Sequence, residues 1–377
     1  MTSETTTQKR AIIVGAGIAG LATALRLEQD GWRTLIVERA PARRSSGYMV
    51  NLIGPGYDAA ERLGILPALA PKALGIFTTV LVHADGSPKM TVPSALAEAA
   101  LGPRVLTVFR GDLEAALHDR TGAEIRFGTT VSAMDQDPSS VRVQLSDGTV
   151  EHADLVVGAD GVHSRTRSML FGDDFRVDFP YVVGAFALSE SDHNGATTFI
   201  GTGRTAAVVE LGPARSSAFF TYRCADPAAE LALGPAAALR EAFADVPFAA
   251  SLPVPDDVYF DRVSQVVAPR WSSGRVVLAG DAAWCVTLFA GHGATLALTG
   301  ADTLGAALAS GGDIPAALAS WEDTLRPQVT RRQRAARRGM AQYAPPTRLH
   351  LWLSEMTMRA VTLPLVRDLV RRAIARQ

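Results

Sequence analysis

The sequence predicts an α/β protein in which a parallel sheet is interrupted by a separate, inserted antiparallel sheet. Two observations support this prediction. Over 11–37 an apolar strand, a run with helical spacing and a second apolar strand follow one another, an alternation typical of a parallel sheet. Between Tyr181 and Tyr222 short apolar and polar runs are joined by glycine-containing turns, which favours antiparallel strands.

The elements can be assigned in chain order from the same patterns. They are a strand over 11–14, a helix over 18–27, a strand over 34–37, a helix from Thr107, an antiparallel meander of strands over 124–127, 141–145 and 155–157 that returns to the main sheet, and a strand over 275–279. Helices fill the rest, including a tail in which Leu363, Val366, Leu369, Val370 and Ile374 recur at helical spacing. We expect a discontinuous main domain of 1–75, 102–175 and 265–340, an inserted sheet domain of 76–101 and 176–264, and a C-terminal helix of 341–377.

Composition excludes several classes of protein. The 377 residues are too many for one core, and 47% hydrophobic against 20% charged residues is typical of a globular chain. With 37 basic and 38 acidic residues, no global field draws the chain to nucleic acid. Cys224 and Cys285 are far apart and lack metal-ligand spacing, so we expect no metal site, no disulfide framework and a reducing cytoplasm.

Two segments invite other interpretations. The window 282–301 carries no Asp, Glu, Lys or Arg, but its three glycines favour a buried loop entering a helix over a membrane span. We expect no membrane insertion, and a monomer or homodimer.

The basic stretch of Arg331, Arg332, Arg334, Arg337 and Arg338 lacks interleaved aromatic residues, which favours a solvated helix face over a nucleic-acid site.

A glycine motif lies where the first strand ends and the first helix begins. Gly15 permits a tight turn, Gly17 lets the backbone approach a pyrophosphate, and Gly20 lets helix and strand pack closely. The helix N-terminus adds free N–H groups and a positive dipole end. Glu38, at the end of the next strand, can accept hydrogen bonds from ribose hydroxyls. The motif predicts a Rossmann-type dinucleotide site and does not separate FAD from NAD.

A second pair of motifs favours FAD. Gly280 and Asp281 place a carboxylate at the carboxyl end of a strand, where it would bind ribityl hydroxyls. Gly291 and Gly293 open a helix whose N–H groups would meet the flavin pyrimidine and stabilise negative charge on reduced flavin. Nicotinamide dehydrogenases do not need this second element.

Together with the segment 159–167, these motifs give the chain a resemblance to a known family. Over nearly its whole length it resembles the class A FAD-dependent monooxygenases, or aromatic hydroxylases, of the p-hydroxybenzoate hydroxylase fold, and looks closest to actinobacterial aromatic-polyketide and tetracycline-modifying members. The resemblance implies a Rossmann-type, GR2-like FAD-binding domain, an inserted antiparallel β-sheet substrate domain and C-terminal helices.

The motifs and the resemblance together imply which residues contact the cofactor. They are Gly15, Ala16, Gly17, Ile18, Ala19, Gly20, Glu38, Arg39, Arg44, Arg110, Val131, Asp160, Gly280, Asp281, Gly291, Gly293, Ala294 and Thr295. Within this set the resemblance places Arg44 near the flavin, Arg110 at the pyrophosphate, and the backbone of Val131 at the adenine. Asp160 matches an acid tied to both FAD and NAD(P)H.

The chain departs from the family pattern in the loop after Asp281. It has Leu288 where the family usually has Pro, His292 where it has Gln, and Thr295 where it has Asn. His292 is the one candidate catalytic residue. Its ring could polarise the substrate or the flavin, or form a hydrogen bond within the loop.

The resemblance implies that NADPH or NADH, bound transiently, reduces FAD. O2 then adds at flavin C4a, and the hydroperoxide transfers oxygen to an aromatic or polyketide-like small molecule. Another flavin reaction, such as halogenation, dehydrogenation or reduction, is an alternative, although no two tryptophans form the Trp-x-Trp signature of halogenases. A non-catalytic FAD-fold binding protein is a third, disfavoured by the intact Gly280 and Asp281.

The substrate is expected between the flavin and the inserted sheet, because an apolar sheet face would exclude water. The residues predicted to wall this pocket are Phe186, Val208, Phe219 and Tyr222 on the sheet and Phe289 in the loop.

Overall fold

The computed structural model describes residues 8–43, 48–188, 195–211, 216–255 and 258–362. Arg44 and the tail from Leu363 onward lie outside these ranges. The strands are β1 (Arg10–Val14), β2 (Arg33–Glu38), β3 (Met49–Ile53), β4 (Thr79–Val82), β5 (Pro88–Val92), β6 (Val105–Phe109), β7 (Glu124–Phe127), β8 (Val131–Gln136), β9 (Val141–Leu145), β10 (Val150–Ala153), β11 (Leu155–Gly158), β12 (Arg176–Leu188), β13 (Gly195–Gly201), β14 (Arg204–Glu210), β15 (Ser216–Arg223), β16 (Tyr259–Val266), β17 (Ser272–Ser273) and β18 (Val276–Leu278).

The helices are α1 (Ile18–Gln29), α2 (Pro55–Arg62), α3 (Leu66–Leu69), α4 (Ser94–Leu101), α5 (Arg110–Arg120), α6 (Arg165–Phe171), α7 (Pro227–Leu233), α8 (Pro235–Ala242), α9 (Pro247–Ala250), α10 (Asp281–Trp284), α11 (Gly293–Ala309), α12 (Ile314–Tyr343) and α13 (Arg348–Thr362). Short 3-10 turns cover Ala70–Lys72 and Leu288–Ala290. No described helix is long and apolar enough to cross a membrane. The apolar window 282–301 instead spans α10, a 3-10 turn and the first half of the buried helix α11.

The main sheet has the strand order β17-β18-β11-β1-β2-β7. Its central strands are parallel, as predicted: Ile13 of β1 pairs with Ile36 of β2 on one side and with Val157 of β11 on the other. These strands are apolar runs because both faces of the sheet are covered. Helices α1 and α11 cover one face, and the three-stranded antiparallel sheet β10-β9-β8 covers the other.

Two predicted elements differ from those found. Strand β7 was expected in the antiparallel meander, but it pairs in parallel with β2 at the edge of the main sheet, where Ile125 lies opposite Ile36. The predicted helix from Thr107 begins at Arg110, because residues 105–109 pair with β3. Both differences concern short apolar runs, in which periodicity does not identify the partner strand.

A separate sheet of seven strands has the order β16-β12-β15-β14-β13-β4-β5. It is antiparallel except for the pair β4 and β13, since β4 and β5 come from an earlier excursion of the chain. One face packs against α8 and α9 and the other faces the main domain. Glu355 of α13 forms an ion pair with Lys89 of β5, so α13 lies along the edge of this sheet.

The basic stretch lies on α12, a helix of 30 residues. Arg331, Arg334 and Arg338 are exposed, as a solvated face requires. Arg332 is half-buried, whereas Arg337 is exposed and its Nε also donates to Gln265 Oε1 of β16 at 2.6 Å. It therefore ties α12 to the second sheet.

Candidate active site

A cleft of about 370 Å³ lies at the carboxyl ends of β1, β2, β11 and β18, which is the edge where open α/β sheets bind ligands. Strands β3 and β16 close it from the other side. The predicted cofactor residues that line the cleft are Gly15, Gly17, Ile18, Ala19, Glu38, Arg39, Arg110, Asp160, Asp281, Gly291, Gly293 and Ala294. Residues more than 240 positions apart in sequence thus meet at one site.

The glycines of the first motif are required by close backbone contacts. Gly15 has φ +107°, and a Cβ placed on it would lie 2.6 Å from the carbonyl oxygen of Ala159. A Cβ on Gly20 would lie 1.9 Å from the carbonyl oxygen of Gly15. Any side chain at either position would displace the backbone. The motif therefore packs directly against the segment that carries Asp160.

Helix α1 presents an uncapped N-terminus to the cleft. Its N-cap is Gly17, no side chain caps it, and its first turn contains no acidic residue. The free N–H groups and the helix dipole fit a phosphate group. Arg110 adds a positive charge nearby: its Nη2 lies 3.9 Å from the position that a Cβ on Gly17 would take, and also 2.7 Å from Glu114 Oε1.

Glu38 connects the end of β2 to the glycine loop. Its Oε2 accepts from the backbone N–H of Ala16 at 2.8 Å, and its Oε1 accepts from that of Ala40 at 2.7 Å. Each carboxylate oxygen has a second lone pair, so the group can still accept from ribose hydroxyls. The two backbone bonds fix the carboxylate at the edge of the cleft.

Asp160 organises the turn before α6. Its Oδ2 accepts from the backbone N–H and the hydroxyl of Thr166, both at 3.0 Å, and its Oδ1 accepts from the hydroxyl of Ser164 at 2.5 Å. Nearby, the buried Arg167 donates to the carbonyl oxygens of Val162 and Ala282. This segment therefore braces the strand ends on which the cleft is built.

Asp281 begins the short helix α10 and lines the cleft. Burial raises the pKa of this carboxyl, while the charge of Arg110 opposes the shift. The preceding Gly280 has φ +61°, and a Cβ on it would lie 2.5 Å from the Cβ of Ala19. Helix α1 and the strand end at β18 are thus in close contact.

Helix α11 presents a second uncapped N-terminus to the same cleft. Its N-cap residue, His292, makes no capping bond, and Gly293 and Ala294 line the cleft. Thr295 does not line it. Its hydroxyl donates to the carbonyl oxygen of Asn51 and accepts from the N–H of Ile53, both at 3.0 Å. Thr295 therefore ties α11 to β3, because the next helical position turns its side chain away from the cleft.

His292 lies outside the cleft lining. Its Nδ1 is hydrogen-bonded to the carbonyl oxygen of Ala290 within the same loop. Burial lowers the pKa of the imidazole, and the neighbouring charge of Arg332 on α12 lowers it further. Of the two alternatives considered for this residue, the hydrogen bond within the loop is the one that the structure contains.

Three of the four sheet residues expected to wall the substrate pocket face the opposite way. Phe186, Val208 and Tyr222 are buried on the outer face of the sheet, against Leu239 and Phe243 of the α8 region. Side chains alternate along a strand, so residues an odd number apart, such as 219 and 222, cannot share a face. That part of the prediction is wrong.

Phe219 does face the main domain. It packs on a cluster that contains Tyr181 of β12, Phe289 and Met340. Phe289 meets the ring of Tyr181 edge-on at 5.9 Å and stacks on Tyr343 at 5.1 Å. The prediction required Phe219 and Phe289 to line the cleft, and they do not. With their ring neighbours they form an aromatic wall behind Leu288, which does line it.

Four further residues that were predicted to contact the cofactor do not line the cleft. The side chain of Val131 is buried beneath the main sheet and its neighbour Thr130 lines the cleft, so the contact of the Val131 backbone with the adenine stays a prediction. Ala16, Gly20 and Gly280 do not line the cleft and act through the backbone contacts described above.

Several cleft residues were missed by the sequence interpretation. Tyr48 and Tyr259 face each other across it with ring centroids 5.5 Å apart, and burial raises the pKa of both phenols. Cys285 and Thr287 line it as well. No spacing rule marked them, because β3, β16 and the loop after α10 meet only in three dimensions.

Comparison with known proteins decides the family. The family described as an FAD binding domain matches residues 8–313. The chain belongs to this family. It is 30% identical to the FAD-dependent monooxygenase asL4 of Sarocladium schorii, over 80% of this chain and 76% of that protein. An uncharacterised protein of Mycobacterium tuberculosis is also 30% identical, over 81% of this chain and 86% of the relative.

Among solved structures, the tetracycline destructase Tet(51) has the same fold. The TM-score is 0.78 at 24% identity, and the alignment covers 97% of this chain and 98% of that one. The family match and the relationship to asL4 confirm the resemblance to FAD-dependent flavoprotein monooxygenases, and Tet(51) shows that the fold is shared with a tetracycline destructase. The chain is an FAD-dependent monooxygenase, with NAD(P)H as the co-substrate typical of this family.

Proposed function

We propose that the cleft holds FAD and that the enzyme uses NAD(P)H and O2 to oxygenate an aromatic or polyketide-like small molecule. One observation carries the proposal. The uncapped N-termini of α1 and α11 open on the same cleft, with the carboxylates of Glu38 and Asp281 beside them. Two anion-binding helix ends and two hydroxyl-binding acids fit the pyrophosphate, ribose, ribityl and pyrimidine parts of FAD.

The roles of individual groups follow from this arrangement. Arg110 and the N-terminus of α1 neutralise the pyrophosphate, and Glu38 accepts from the ribose. When bound, FAD supplies electron transfer from NAD(P)H and the activation of O2. The N–H groups at Gly293 and Ala294 stabilise negative charge on the ring edge that they face. Tyr48 and Tyr259 stay protonated at neutral pH, because burial raises their pKa, so they can donate hydrogen bonds into the cleft.

The aromatic wall backs the cleft on the side of the second sheet. Tyr181, Phe219, Phe289 and Tyr343 pack together behind Leu288 and exclude water from that side, although none of the four lines the cleft itself. A dry side of this kind supports an apolar substrate. The fold shared with a tetracycline destructase supports a polycyclic or polyketide-like substrate.

On this proposal, residues 1–75, 102–175 and 265–340 bind FAD and residues 76–101 and 176–264 bind substrate. Both cysteines are free thiols, which supports a reducing cytoplasm as the location. We propose a monomer or homodimer.

The test uses the purified holoenzyme, a panel of aromatic and polyketide compounds, and ¹⁸O₂. A substrate should accelerate NAD(P)H oxidation and yield a product that carries one ¹⁸O atom by mass spectrometry. Consumption of NAD(P)H without any labelled product across a broad panel would contradict the proposed substrate class.

A further inference from the structure

Thr287 has a backbone conformation that its residue type rarely adopts. Its φ is 84° and its ψ is 153°, a region almost restricted to glycine because a Cβ clashes there. Within the described ranges it is the one residue other than glycine with a positive φ. Strained residues of this kind persist only where the surroundings hold them, and they cluster at active sites.

The hydroxyl of Thr287 is the second observation. The residue is 5% exposed, it lines the cleft, and its Oγ1 has no hydrogen-bond partner among the residues that the structure describes. Native proteins leave few buried hydroxyls unpaired, because an unpaired buried donor is unfavourable. A ligand in the cleft is the partner that this hydroxyl can reach.

The neighbouring Cys285 holds the strained turn in place. The backbone of Thr287 is hydrogen-bonded to the Cys285 thiol, and that Sγ donates to the carbonyl oxygen of Ser264 on β16 at 3.4 Å. The turn is therefore attached to the second sheet through the half-buried side chain of Cys285.

The position of Thr287 indicates which ligand it serves. It lies six residues after Asp281 and four before Gly291, and all three residues line the cleft. We infer that the Thr287 hydroxyl donates a hydrogen bond to an acceptor atom of the flavin ring and so positions the ring between Asp281 and the N-terminus of α11. This inference rests on the proposed placement of FAD in the cleft.

The experiment compares Thr287→Val with Thr287→Ser in the holoenzyme. Valine keeps the branched shape and removes the donor, whereas serine keeps the donor. The dissociation constant of FAD, measured from free-flavin fluorescence on dilution, should rise about fivefold in T287V and stay close to wild type in T287S. The visible band of bound flavin should shift in T287V and return in T287S. T287G lacks the donor and relieves the strain, so it should fold and bind FAD as weakly as T287V.

Two control variants separate the possible failures. Thr299 is a buried threonine of α11 that does not line the cleft, and its hydroxyl donates to the carbonyl oxygen of Thr295. The variant T299V should therefore leave both the dissociation constant of FAD and the visible band of bound flavin unchanged.

Asp281→Ala tests the placement of FAD. If D281A weakens FAD binding but T287V and T287G do not, the inference about Thr287 is wrong and the placement stands. If D281A has no effect, the placement itself is wrong. If T287V changes only the KM for the organic substrate, the hydroxyl serves the substrate and the inference is overturned.

Discussion

Arg167 donates from Nη1 to the carbonyl oxygen of Ala282 at 3.0 Å, and from Nη2 to that of Val162 at 2.8 Å. One buried side chain thus joins the segment after β11 to the helix that begins with Asp281. Burial lowers the pKa of this guanidinium, but it remains charged at any physiological pH. The segment 159–167 and the motif of Gly280 and Asp281 are therefore parts of one structural unit.

Replacing Arg167 with methionine should therefore affect both stability and cofactor binding. The variant keeps the apolar stem and leaves two buried carbonyl oxygens without donors, which should lower the free energy of unfolding by about 2–3 kcal/mol. FAD affinity should fall too, because both motifs contact the cleft. Urea denaturation and flavin titration measure the two effects. Arg331→Met on the exposed face of α12 is the control, and an equal loss there would refute the role given to Arg167.

Glu38→Ala should weaken FAD binding by about 1–3 kcal/mol, because the ribose hydroxyls lose their acceptor. The N–H groups of Ala16 and Ala40 lose theirs as well, so the glycine loop should become less ordered. Flavin titration gives the affinity. Glu124→Ala on the neighbouring strand removes an exposed carboxylate and should change nothing. Unaltered FAD affinity in E38A would show that Glu38 does not contact the cofactor.

The first βαβ unit could be predicted from the sequence almost to the residue, since glycine spacing and apolar runs both depend on local geometry. The face of each strand in the second sheet could not be predicted. Both Phe219 and Phe220 are apolar, and only the pairing of Ala185 with Phe219 determines which one faces the main domain. Thr287 was missed for a different reason. No propensity predicts a threonine at positive φ, because surrounding contacts impose that conformation.

Asp281 should make stability depend on pH in the protein stripped of FAD. Burial raises the pKa of its carboxyl above the unfolded value of about 3.9. The folded state therefore holds more protons than the unfolded state between the two pKa values, and stability falls as the pH rises through that window. Asp281→Asn removes this penalty. The variant should be more stable than wild type at pH 7, and the difference should vanish below about pH 4. Thermal unfolding at several pH values measures it, and a difference independent of pH would rule out Asp281 as the cause.

The neighbouring residues Phe219 and Phe220 provide the sharpest test of where the substrate binds, because they lie on opposite faces of β15. Phe219 packs with Phe289 on the side of the cleft, and Phe220 is 1% exposed among Phe186 and Phe243 on the other side. Phe219→Ala opens the aromatic wall to water, so it should raise the hydrogen peroxide released per NAD(P)H oxidised and the KM for the aromatic substrate. Phe220→Ala should instead cost about 3–5 kcal/mol of folding stability and leave the coupling of the folded enzyme unchanged, because it creates a cavity remote from the cleft. Peroxide assays and denaturation curves on the two variants distinguish these effects. If coupling is lost in F220A and kept in F219A, the substrate lies on the outer face of the sheet and the proposed pocket is wrong.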